Sequence, residues 1–243
     1  ATIVFTIPIA LGILNKEDTR FLAKGVLAGI VTIPVGLLAG GLVAGFDTGL
    51  ILRNLIPIVL LAAVIALGLW LAEGFMIKAF SFFGKFIIAL ITVGLAAAIV
   101  EALTGFAIIP GMAPIEEGFQ TVGAIAIVLA GAFPLVYVVT KLLRKPLLGL
   151  GKLIRVNDTA AAGLVASLAN SIPTFGMVKD MDNRGKVVNM AFAVSAAFVF
   201  GDHMGFTAGF SPELLPAMIV GKLVGGVSAV AVALLLTRKQ ETT

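Results

Sequence analysis

The string LANSIPTFG, Leu168 to Gly176, sets an amide at Asn170, hydroxyls at Ser171 and Thr174 and an aromatic ring at Phe175 around Pro173, in the middle of an otherwise apolar stretch. An amide oxygen, hydroxyls and backbone carbonyls freed by such a break are ligands for a small polar cation, and an aromatic face adds a cation–π attraction of about 0.5 to 2 kcal/mol. A second string, GDHMGF, carries Asp202 and His203, the chain's one histidine. A carboxylate is the natural counter-charge for a protonated amine, and an imidazole relays protons near neutral pH. Lys222 interrupts the last apolar run. A charge at the centre of a membrane helix costs at least about 2.5 to 3.5 kcal/mol, so Lys222 must snorkel or find a partner, with Asp202 or Glu213 expected from sequence position. Each group has a plainer alternative: a polar kink that only packs, an interfacial anchor, or a structural ion pair.

Enzyme chemistry finds little support. There is no GxxxxGK[ST], HExxH or GxSxG string and no aspartate-rich diphosphate-binding run. The absence of cysteine removes thiol nucleophiles, thiolate metal sites and disulfides, and a single histidine argues against a histidine-rich metal centre. No cofactor or metal is expected.

The elements that must hold these groups are membrane helices. Of 243 residues 60% are hydrophobic and 12% charged, about half the charged share of a soluble domain, and the mean hydropathy is +1.14. Apolar runs lie at about 1–14, 21–46, 50–72, 84–103, 121–140, 187–201 and 214–236, bounded by charged, Gly or Pro residues. With about 20 residues per crossing, roughly seven transmembrane helices fit. Asp202 and His203 then end the sixth run, and Gly205 and Gly209 permit a tight external loop after it. The stretch 158–182 is apolar but broken by Asn170, Ser171 and Pro173, with basic residues on both sides, Lys152 and Arg155 before and Lys179, Arg184 and Lys186 after. A re-entrant helical hairpin is expected, because a break in lipid is tolerated only when packed in protein or lining a wet cavity.

The net charge of +4 reflects Lys and Arg gathered in short loops, which is membrane topology and not a nucleic-acid surface. The cluster Lys141, Arg144, Lys145, Lys152 and Arg155 marks a cytoplasmic loop by the positive-inside rule, and Arg238 and Lys239 place the C-terminus there too. No basic n-region or cleavage site opens the chain, which starts at Ala1 without Met. Gly25 to Thr32, GVLAGIVT, and Gly221 to Ser228, GKLVGGVS, share G-x-L-x-G-x-V-[ST], each preceded by an apolar run, TIVFTIPIALGI from Thr2 and AFAVSAAFVFGD from Ala191. An odd number of crossings separates them, as in the inverted repeats of secondary transporters; close helix packing through small residues is the plainer alternative.

The strings FLAKGVLAGIVTIPVGLLAGGLVAG, KFIIALITVGLAAAIV, MIVGKLVGGVSAVAVALLL and above all Gly151 to Phe206 resemble the ethanolamine permease family, EutH. The resemblance implies an all-α, polytopic bacterial inner-membrane protein that admits ethanolamine for catabolism, without covalent chemistry. It also implies that this single transmembrane domain, 1–243, is the C-terminal part of a longer protein whose N-terminal part carries a second polar break. By motif position the expected substrate residues are Asn170, Ser171, Thr174, Phe175 and Asp202, with His203 and Lys222 in coupling or an ion pair. Besides ethanolamine and the bilayer, a second copy of the chain is an allowed partner. An ion-conducting or structural membrane subunit, or a transporter of another small amine, is the alternative from the residues alone.

Overall fold

A computed structural model describes residues 7–15 and 17–238. The expectations resting on residues 1–6, Lys16 and Lys239 lie outside the described residues. Eleven α-helices occur among them and no strand: α1 (Ile7–Ile13), α2 (Thr19–Ile30), α3 (Ile33–Val43), α4 (Thr48–Leu71), α5 (Glu73–Thr104), α6 (Ile115–Leu153), α7 (Asp158–Ala169), α8 (Ser171–Met177), α9 (Asn183–Ala196), α10 (Asp202–Phe210) and α11 (Leu215–Thr237).

Among the described residues four helical stretches are long and apolar enough to cross a membrane: Thr19–Val43, Thr48–Leu71, Glu73–Thr104 and Pro212–Thr237; the expected seven are not confirmed. The run 187–201 does not form one helix: α9 stops at Ala196 and α10 begins only at Asp202. Asp202 and His203 therefore open a helix instead of closing one. Gly205 and Gly209, expected in an external loop, lie inside α10, where the missing side chains let it approach Ile125, Leu129 and Ala124 of α6. The basic cluster expected in a loop after residue 140 falls largely within α6, which continues for 39 residues to Leu153; Lys and Arg are good helix formers, and their long stems tolerate a helix that emerges from lipid.

Side-chain caps fix several helix starts by satisfying the first unpaired N–H groups. Asp47 Oδ1 accepts from Leu50 N at 2.9 Å before α4, and Asn157 Oδ1 accepts from Ala160 N at 2.9 Å before α7. Asp182 Oδ2 accepts from Gly185 N before α9. The turn at Val31 and Thr32 between α2 and α3 precedes Pro34, which has no N–H to return to Ile30. Thr32 Oγ1 lies 2.8 Å from Gly29 O and 3.2 Å from Gly225 O, a hydroxyl that ties this turn to α11.

The core is the group α2, α3, α9 and α11. A Cβ on Gly36 would stand 2.5 Å from Gly221 O, and one on Gly40 2.9 Å from Ala217 O, so α3 and α11 run antiparallel at backbone contact. The second glycine string, on α11, thus meets α3, and the first, on α2, is tied to it through Thr32 Oγ1 and Gly225 O. Gly25 faces Val187 and Met190 while Gly29 faces Ala191 and Val194, making α2 and α9 parallel. Outside this core, α4 and α5 expose large apolar side chains, Trp70, Leu71, Phe82 and Leu103 among them, the surface a lipid-facing helix presents.

Candidate functional site

The stretch 158–182 folds back on itself. At its base, Asn157 N donates to Asp182 Oδ1 and Asn157 Nδ2 to Asp180 O, both at 2.9 Å. Along its length Thr174 Oγ1 lies 3.0 Å from Gly163 O and 2.9 Å from Ser167 Oγ. The tip is Asn170, held extended at φ −157°, ψ 130°, with its Oδ1 accepting from Ile172 N to cap α8. The proline at position 173 lies in the first turn of α8, where no intrahelical N–H is lost.

A second break meets this tip. Between α9 and α10 the backbone unwinds over 197–201, and Phe198 N donates to Ser167 O and Phe200 N to Leu168 O, both at 2.9 Å. These two carbonyls belong to the last turn of α7 and would otherwise be unpaired. Phe198 takes a left-handed conformation, φ 62°, which costs a residue with a Cβ roughly 1–2 kcal/mol; the hydrogen bond to Ser167 helps to hold it. Gly201 passes so close to Ala169 O that a Cβ there would collide with it. Since Ala169 precedes Asn170 and Gly201 precedes Asp202, the junction brings these two expected site residues together from 32 positions apart.

The C-terminal ends of α7, at Ala169, and of α9, at Ala196, meet the N-terminal ends of α8, at Ser171, and of α10, at Asp202, so the partial charges of the helix ends largely offset and the carboxylate of Asp202 is the full charge that favours a cation. The Asp202 carboxylate is exposed in the first turn of α10 and forms no hydrogen bond or ion pair among the described residues. The His203 ring lies 5.6 Å from that of Phe198 at 59°.

Other expected ligands lie elsewhere. Ser171, Thr174 and Phe175 are buried at 1%, 0% and 2% exposure, behind the tip and inside the core. Lys222 lines a cavity of about 680 Å³ between α3, α4, α9, α10 and α11, which borders the second break at Ser195 and Thr207. Neither Asp202 nor Glu213 is its partner: Lys222 has no ion pair among the described residues.

Sequence reading missed four residues that build the site. Ser167 holds Thr174; Asn189, 1% exposed, donates through Nδ2 to Ala160 O and Gly185 O, bridging α7 and α9. Asp18 and Lys186, 2.6 Å apart, join the start of α2 to the start of α9. Asn189 was detectable, as an amide interrupting the apolar run 187–201. Ser167 and the Asp18–Lys186 pair carry no local signal.

The model of the family described as ethanolamine utilisation protein, EutH, matches residues 1–236. A Listeria monocytogenes protein named probable ethanolamine permease EutH is 60% identical over 98% of the chain and 64% of its own length. A Salmonella typhimurium protein of the same name is 50% identical over 99% and 64%, and the uncharacterised Bacillus subtilis protein YxeR is 55% identical over 98% and 64%. The chain thus spans a little under two thirds of the length of these curated relatives. No solved structure gives a significant match. With a family match over almost every residue and half or more of its positions shared with these relatives, the chain belongs to the EutH family of ethanolamine utilisation proteins.

Proposed function

We propose that this chain forms the transmembrane part of a bacterial permease that admits ethanolamine, and that the substrate's ammonium group binds where the two helix breaks meet, against Asp202 and the carbonyl ends of α7 and α9. The observation that carries the reading is the hydrogen-bonded junction of the breaks, Phe198 N to Ser167 O and Phe200 N to Leu168 O. Interrupted helices whose termini face a substrate at mid-membrane are a recurrent transporter device. The names of the relatives supply the substrate.

The dimensions support the hairpin as re-entrant. Helix α7 has 12 residues and α9 has 14, or about 18 and 21 Å of rise, so breaks reached from one face lie near the middle of a hydrocarbon core of about 30 Å. The Asp18–Lys186 pair puts Arg20, Lys179 and Arg184 near one end, which the positive-inside rule makes cytoplasmic in an inner membrane. The first glycine string lies on α2, which continues into α3 as one stretch, Thr19–Val43, and α3 runs antiparallel to α11, which carries the second; this suits an inverted arrangement of the two strings. Asn170 contributes its amide at the tip, and His203 is placed for proton exchange beside the carboxylate. No bond is made or broken; one group of helices moves against the other.

Uptake of labelled ethanolamine by proteoliposomes containing the full-length protein tests the substrate. Saturable uptake, competed by unlabelled ethanolamine more strongly than by choline or ammonium, is expected. Uptake no greater than in empty liposomes contradicts it and favours a structural role; linear, unsaturable flux favours a conducting subunit.

A further inference from the structure

The cavity of about 680 Å³ beside Lys222 is ill suited to the amine proposed above. It matches the roughly 300–1,000 Å³ of pockets that hold much larger molecules. Its wall is mostly apolar, including Leu37, Phe46 and Leu50, all of them exposed in helices or turns of the membrane-facing surface. The one charge it presents is a lysine, which repels an ammonium.

The polar residues of the wall are Asn54, Ser195, Thr207 and Lys222. Lys222 lies seven residues into α11, about 10 Å of rise from its start, and has no ion pair among the described residues. Ser195 lines the same cavity at 8% exposure, and its Oγ has no hydrogen-bond partner among the described residues. A Cβ on Gly225 would stand 3.4 Å from that Oγ; Gly225 is three residues from Lys222, on the same face of α11. A cation on the wall of an otherwise apolar hollow calls for an anion joined to alkyl chains. An unpaired charge in lipid is otherwise costly.

We propose that this cavity binds an anionic membrane phospholipid, its phosphate against Lys222 and an acyl chain along the apolar wall of α3 and α4. The lipid neutralises Lys222 and fills the gap between α4 and the α3–α11 pair. The cavity borders the junction of breaks through Ser195 and Thr207, but lipid retention is measured without uptake, so each reading can fail alone.

Full-length protein in detergent micelles, titrated with phosphatidylglycerol or phosphatidylcholine of identical chains and weighed intact by native mass spectrometry, gives the test. The expected result is at least fivefold preference for phosphatidylglycerol, kept in Lys222→Arg and reduced to near parity in Lys222→Met. The Met variant removes a buried charge and retains the stem, so the fold survives, with melting temperature as the check. Filling the hollow with Leu37→Trp is expected to lower retention of both lipids severalfold. Equal retention of the two lipids by the unmodified protein, a preference unchanged in Lys222→Met, retention indifferent to Leu37→Trp, or binding of free fatty acid alone each overturns the proposal.

Discussion

The backbone N–H of Phe198 donates to the carbonyl of Ser167 at 2.9 Å, so the segment that interrupts one helix closes the end of another. The carbonyls of Ser167 and Leu168, left over by the last turn of α7, are used by the unwound stretch after α9, and neither break has to be hydrated to exist. What remains open at the junction is the Asp202 carboxylate, which is exposed and can discriminate by charge.

Gly201→Ala tests how tightly the breaks must meet. Its Cβ would collide with Ala169 O, and backbone cannot yield as a flexible side chain can. Ethanolamine uptake is expected to fall at least tenfold while the protein still folds, because α7 and α9 remain tied by Asn189. Wild-type uptake in this variant would mean that the close approach does not matter for transport.

The buried hydroxyl pair of Ser167 and Thr174 separates a structural role from a ligand role. Thr174→Val leaves Ser167 Oγ and Gly163 O without their partner at 2.9 and 3.0 Å, at a cost of about 1–3 kcal/mol for unsatisfied buried groups. A lower unfolding midpoint is expected, with the substrate concentration for half-maximal uptake unchanged. A shift in that concentration with intact stability would make Thr174 a ligand after all.

The ion pair of Asp18 and Lys186 joins residues 168 positions apart, with side-chain exposures of 7% and 12%. Asp18→Asn and Lys186→Gln are each expected to lower stability, and the double variant less than the sum. The coupling energy should fall in the range of about 0.5–3 kcal/mol found for contacting residues. Strict additivity in a double-mutant cycle would remove the pair as the clamp between α2 and α9.

The lack of cysteine makes topology directly measurable. Single replacements Glu17→Cys and Lys179→Cys are expected to react with an impermeant thiol reagent from the same, cytoplasmic side, and Glu213→Cys from the other. Labelling of positions 17 and 179 from opposite sides would turn the hairpin into a full crossing.

Local chemistry made part of this legible beforehand. The amide and proline of LANSIPTFG announce a break, and Asn170 is its tip; basic residues on both flanks announce a return. The second break was invisible, because AFAVSAAFVFG is a uniformly apolar string whose unwinding at Ala197 is imposed by the carbonyls of α7, not by any glycine or proline at that point. That is also why Asp202 was read as a helix end when it opens one. The burial of Ser171 and Thr174 was not legible, because sequence reports residue type and not direction, and in the hairpin both lie buried. Lys222 was correctly seen as anomalous, yet its expected carboxylate partners are not paired with it.

The most direct test is uptake of labelled ethanolamine by full-length protein carrying Asp202→Asn, beside wild type and Asn170→Ala, with melting temperatures measured on the same preparations. The junction as substrate site predicts at least a tenfold loss in Asp202→Asn, a smaller loss in Asn170→Ala, and little change in melting temperature, since the Asp202 side chain is exposed. Saturable uptake at the wild-type rate and affinity in Asp202→Asn would contradict it.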